Sequence, residues 1–224
     1  MRTDYEVFWI STGLLVLSWF IRGIIARKFS FYWFIVWNIF LAILPLLPLL
    51  CLVSLRQPQL FVSLLLSGLF LLFLPNTYYL ITDLMHLNPD VLVNERNNSA
   101  KPSLKYTRGD AWFVVDGFLL FLTVLLSSIV GGFALNRYYL FLQNNYSNIA
   151  NLTMLFVVVA CAIGVYIGRY GRWNSWDVFI KPHKIIVDLL HLLKDKAESS
   201  RLVVFVGCII VFELFSWVFV AKII

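Results

Sequence analysis

Two short stretches of this chain hold most of the residues whose types can do chemistry. The first, Phe73 to Leu87, reads FLPNTYYLITDLMHL, and the second, Gly168 to Pro182, reads GRYGRWNSWDVFIKP. In the first, Pro75 removes a helix hydrogen bond and crowds the preceding turn. Carbonyls near Leu71 and Leu72 then need partners, and Asn76 and Thr77 either supply them or cap a new helix starting near Asn76. On that helix Asp83 and His86 fall at i and i+3, on one face. The pair suits an oriented general base or a metal ligand set, although interface hydrogen bonding is its commoner meaning, and no metal is assigned. In the second stretch Arg169 and Arg172 suit a clamp on an anion or headgroup. Trp173 and Trp176 suit an interface or a pocket wall. Asn174, Ser175 and Asp177 add polar groups that headgroup anchoring does not require.

Four further ionisable residues lie in or beside apolar runs. A charge at the centre of a membrane span costs roughly 2.5–3.5 kcal/mol on insertion scales, so each calls for a reason. Arg22, near the end of its run, is expected to snorkel to the interface. Asp110 sits where an acid favours a helix start, and Asp116 follows a turn or two later. Glu213 falls near the middle of its run at about 1.5 Å per residue. It is expected to be neutral or paired inside the bundle, as a structural hydrogen-bonding group or as a proton or ion site.

The elements that must position these residues are membrane helices. The chain has 224 residues, of which 61% are hydrophobic and 13% charged, against roughly 45–50% and 25% in a soluble domain. A span needs about 20 mostly apolar residues. Six runs qualify, near 7–26, 31–55, 60–80, 111–135, 149–168 and 202–221. The expected fold is an all-α polytopic membrane protein, a single integral membrane domain over 1–224 with about six transmembrane helices. Residues 183–196 add an amphipathic helix. Ile185, Ile186, Leu189, Leu190 and Leu193 form its apolar face, which lies in the interface or docks on a partner or on the 88–109 loop. The start MRTDYEVFWI lacks the layout of a signal peptide. Cys51, Cys161 and Cys208 fall within runs, without paired spacing, and read as packing residues. No three-plus-three inverted repeat is visible.

Charge orients this arrangement. Of 18 basic residues, only Arg2, Arg56, Arg137 and Lys222 fall on one side of six spans, and 14 fall on the other. The richer side is cytoplasmic by the positive-inside rule, which places both termini outside. The net charge of +6 fits a bilayer with anionic headgroups and calls for no nucleic acid. Asn145 and Asn151 match the glycosylation sequon, which matters only in a eukaryotic secretory setting. Asp83, His86, Asp110, Asp116 and the Arg169–Asp177 cluster then converge on the cytoplasmic face.

The two stretches together carry a resemblance. A Pro-Asn near a span end with a downstream Asp-x-x-His, then Arg-Trp-Asn-Ser-Trp-Asp, resembles the bacterial integral membrane family designated domain of unknown function 1361. The likeness runs from the third span to Pro182. It implies a prokaryotic plasma-membrane protein and supplies no activity. The 88–109 loop is longer than the family pattern.

Three functions compete. The first is a binding or transport component for a small or lipid-like ligand, with Asn76, Asp116, Glu213 and the Arg169–Trp176 cluster as ligand contacts. The second is an enzyme acting on a lipid-linked or anionic substrate at the cytoplasmic leaflet, with Asp83, His86 and Asp177 in catalytic roles. The third is a non-catalytic accessory subunit that docks on a membrane-protein partner through 183–196. No Walker loop, His-Glu-x-x-His or Gly-x-Ser-x-Gly occurs in the chain. The sequence names no cofactor.

Overall fold

The computed structural model describes residues 2–27, 29–55, 59–87, 111–171, 173, 177–181, 183–184, 187 and 196–223; the side chains of residues 2–7, 29–31, 85–87, 178–179 and 196–197 are left aside. Every element among the described residues is helical. In chain order they are α1 (Arg2–Ala26), α2 (Phe29–Ile43), α3 (Leu46–Ser54), α4 (Leu60–Tyr79), a 3₁₀ helix (Leu80–Leu87), α5 (Ala111–Tyr166), a π-helical turn (Ile167–Gly171), α6 (Asp177–Ile180) and α7 (Lys196–Ile223). Five stretches are long and apolar enough to cross a membrane: Phe8–Ala26, Tyr32–Ser54, Leu60–Leu84, Ala111–Gly171 and Glu198–Ile223. The six apolar runs of the sequence fall within them to within one residue at either end, the fourth and fifth sharing Ala111–Gly171. Large apolar side chains also cover the outside, including Ile10, Leu14, Leu17, Ile21 and Ile24 on α1. That much exposed apolar surface suits lipid rather than water. The 88–109 loop lies outside the described residues, as does most of the 183–196 segment.

The second apolar run is two helices rather than one. Pro45 has no N–H to offer the Leu41 carbonyl, and the Leu44 N–H takes that carbonyl instead at 3.3 Å. The chain restarts as α3 at Leu46, where Pro48 sits in the first turn, a position that tolerates proline. Thr77 Oγ1 donates to the Ala42 carbonyl at 2.6 Å, which satisfies an acceptor at the end of α2.

The residues form two compact units, 1–40 with 80–127, and 41–79 with 128–224. In the first unit, α2 turns a buried stripe inward that includes Tyr32, Ile35 and Ile39. Trp19 on α1 donates to Thr123 Oγ1 on α5 at 3.1 Å, and Arg22 reaches back to Asp116. Moving up α1 corresponds to moving down α5, so the two run antiparallel.

In the second unit, α5 bends at Tyr146, whose φ of −143° and ψ of 47° are not helical. Across this point Tyr139 Oη donates to Asn151 Oδ1 at 3.2 Å, twelve residues on. A straight helix would separate those positions by about 18 Å along its axis, so the chain folds back on itself here. The contacts around it share one register. Ser63 meets Tyr146, and Phe70 stacks on Tyr138 with ring centroids 4.7 Å apart, so α4 runs antiparallel to the first half of α5. Pro75 faces Gly164 and Tyr79 faces Gly168, so α4 runs parallel to the second half. On α7, Phe205 touches Tyr166 and Tyr170 near one end, while Trp217 touches Tyr139 near the other. Small residues permit these approaches, as is usual where membrane helices pack without a hydrophobic drive between them. A Cβ on Gly164 would lie 2.6 Å from Pro75 Cγ, and one on Gly132 would collide with the Ser216 carbonyl.

Candidate functional site

Three acids inside the spans have different surroundings. Asp116 is fully buried in the first unit. Arg22 Nε donates to its Oδ1 at 2.7 Å and Arg22 Nη2 to its Oδ2 at 3.0 Å, the bidentate fork that suits guanidinium and carboxylate. Tyr32 Oη adds a third donor at 3.1 Å. The guanidinium also lies 4.1 Å from the Trp112 ring centroid and 5.5 Å from that of Tyr32, distances that favour cation–π attraction. The snorkelling expected of Arg22 is therefore corrected: with 7% exposure it is a buried partner of Asp116, because a paired charge escapes the cost of an isolated one.

Asp83 is also fully buried in the first unit. Asn38 Nδ2 donates to its Oδ2 at 3.2 Å and lies 3.5 Å from Oδ1. Asp83 and His86 share the 3₁₀ helix, where residues three apart eclipse one another; the His86 side chain lies outside the description. Pro75 does not break the helix. The helix continues through Pro75 to Tyr79 and tightens only at Leu80, so no new helix starts near Asn76, and Thr77 donates to the Ala42 carbonyl. Asn76 is half-buried and engaged with its neighbours.

In the second unit, Arg169 sits half-buried in the π-helical turn. Such turns often mark functional sites. Trp173 lies beneath Lys184, whose Nζ is 5.3 Å from the ring centroid. Asp177 opens α6. Arg172, Asn174 and Trp176 lie outside the described residues, as does Asp110. In this unit Tyr79 of the first stretch faces Gly168 of the second, and Pro75 faces Gly164, four residues before the second stretch begins. Gly164-x-x-x-Gly168 is a readable signal for that approach.

Glu213 is the exception among the acids. It is fully buried in the second unit, and neither carboxyl oxygen has a hydrogen bond among the described residues. The Tyr78 hydroxyl, also buried, has none either. The titratable groups that feel the Glu213 charge are Tyr78 from α4 and Cys161 from α5. The Cys161 thiol lies beside the carboxyl as a weak donor. Tyr78 is held over Phe212 edge to face, with centroids 6.0 Å apart, and its ring fills the space over Gly131. One turn further along α7, Ser216 Oγ lies 2.9 Å from Ser128 Oγ and donates to the Phe212 carbonyl at 2.7 Å, so those hydroxyls are satisfied. Sequence reasoning singled out Glu213 but missed Tyr78 and Cys161, which reach it only through the packing of three helices.

All-helical units with five stretches fit to span a bilayer define a multi-pass membrane protein. The chain matches the family described as Protein of unknown function (DUF1361) over residues 37–214, and it belongs to that family. The match includes Tyr78, Cys161 and Glu213 and leaves out Arg22 and Tyr32. No curated protein and no solved structure matches the chain.

Proposed function

We propose that this protein is a prokaryotic plasma-membrane component that binds or transports a small or lipid-like ligand, with Glu213 holding a polar part of that ligand. One observation carries this reading. Asp116 and Asp83 are answered by Arg22, Tyr32 and Asn38, whereas among the described residues the two Glu213 oxygens and the Tyr78 hydroxyl have no donor or acceptor beyond the weak Cys161 thiol beside the carboxyl. Unsatisfied polar groups in a span are costly and are retained where a ligand completes them. Treating the α5 fold at Tyr146 as a reversal gives six passes. The charge count then sets both termini outside, with Arg169, Lys184 and Arg201 facing anionic headgroups in the cytoplasm.

The test is a thermal-shift screen of detergent-purified protein against amines, carboxylates, sugars and phospholipids, followed by flux in proteoliposomes. A solute that raises the Tm of wild type but not of Glu213→Gln supports the reading. No response across the panel, with Glu213→Gln and Asp116→Asn behaving like wild type in cells, overturns it.

A further inference from the structure

We propose that Glu213 is a proton-binding site inside the second unit. This deepens the ligand-binding reading of the same residues by naming a ligand class. The site offers two carboxyl oxygens, one phenol oxygen and one thiol, all fully buried. Among the described residues the titratable groups that face Glu213 are the Tyr78 phenol from α4 and the Cys161 thiol from α5, acids rather than bases. No described cation supplies the counter-charge that Arg22 supplies to Asp116, and an isolated buried carboxylate is expensive. Two ligand classes would relieve it. A hard divalent cation takes about six to eight oxygens, and this site presents three, with no group of three His, Cys, Asp or Glu residues among those described. A proton needs neither a coordination shell nor volume. Loading transfers one proton from hydronium to a Glu213 carboxylate oxygen, giving the carboxylic acid and water, and unloading is the reverse.

Carbodiimides add only to the acid form of a carboxyl. The acid proton moves to one carbodiimide nitrogen while the carboxyl oxygen bonds to the central carbon, and nothing leaves. Protein in phosphatidylcholine vesicles is treated with dicyclohexylcarbodiimide, digested and mapped by mass spectrometry. The expected result is an adduct on the peptide that carries Glu213, lost in Glu213→Gln and unaffected by added sodium or potassium. In parallel, infrared spectra of wild type in H₂O and D₂O should show a carboxylic-acid carbonyl band that shifts on exchange. This second measurement decides the matter on wild type alone if Glu213→Gln does not fold. No adduct, protection of the adduct by sodium or potassium, or an acid band that never exchanges would each overturn the proposal. An adduct without any solute response keeps the proton site and removes the ligand-binding reading; a solute response without an adduct does the opposite.

Discussion

Arg22 and Asp116, 94 residues apart in sequence, form a two-pronged ion pair whose members are only 8% and 0% exposed. Removing one partner leaves the other charge buried and alone, at a cost of about 3–5 kcal/mol. Arg22→Leu or Asp116→Leu should therefore each lower the Tm of the purified protein sharply. The double variant should recover much of that loss, since an apolar pair of similar volume replaces a buried ion pair with little penalty. Additive losses in the double variant would show that the pair does not act as a unit.

Gly132 and Gly68 make a matched comparison. A Cβ at Gly132 would strike the Ser216 backbone carbonyl, while nothing lies within 4 Å of one at Gly68. Gly132→Ala should cost on the order of 1–3 kcal/mol, as overpacking does. Gly68→Ala should be neutral or stabilise by up to about 1 kcal/mol through helix propensity. Yield of monodisperse protein and Tm in one detergent compare the two directly.

Pro75 and Gly164 should compensate. Gly164→Ala places a methyl 2.6 Å from Pro75 Cγ, and a proline ring cannot swing aside as a flexible side chain can. Gly164→Ala alone should reduce folded yield. Pro75→Ala in the same chain removes the colliding atom and should restore it. A double variant no better than Gly164→Ala would place the strain elsewhere.

Asn38→Leu takes a donor away from fully buried Asp83 and should cost about 1–3 kcal/mol. Asn38→Gln keeps the amide but displaces it by a methylene, so part of the loss should remain. Chemical-denaturation midpoints in mixed micelles check both.

The apolar runs announced where the helices lie, since about 20 apolar residues admit few other readings. What stayed hidden was pairing at a distance. Nothing near Asp116 in sequence points to Arg22, so a rule about isolated residues sent Arg22 to the interface. Pro75 misled for a similar reason: a local rule predicts a break, while a packed membrane bundle accommodates proline within a continuous helix. Glu213 was conspicuous because a lone acid in an apolar run always is. Its lack of partners could be established only once α4, α5 and α7 were placed around it. The closeness of α4 to α5 is legible in the spacing of Gly164 and Gly168.

Helix α2 contributes a donor to both Asp116 and Asp83. Tyr32 binds Asp116 and Asn38 binds Asp83, six positions apart and thus about 9 Å along one axis. A rotamer flip withdraws one of these donors alone, but a slide or roll of the rod itself withdraws both together, while Arg22 on α1 keeps its own hold on Asp116. The helix is a ganged strut: any displacement of α2 weakens both acid sites at once.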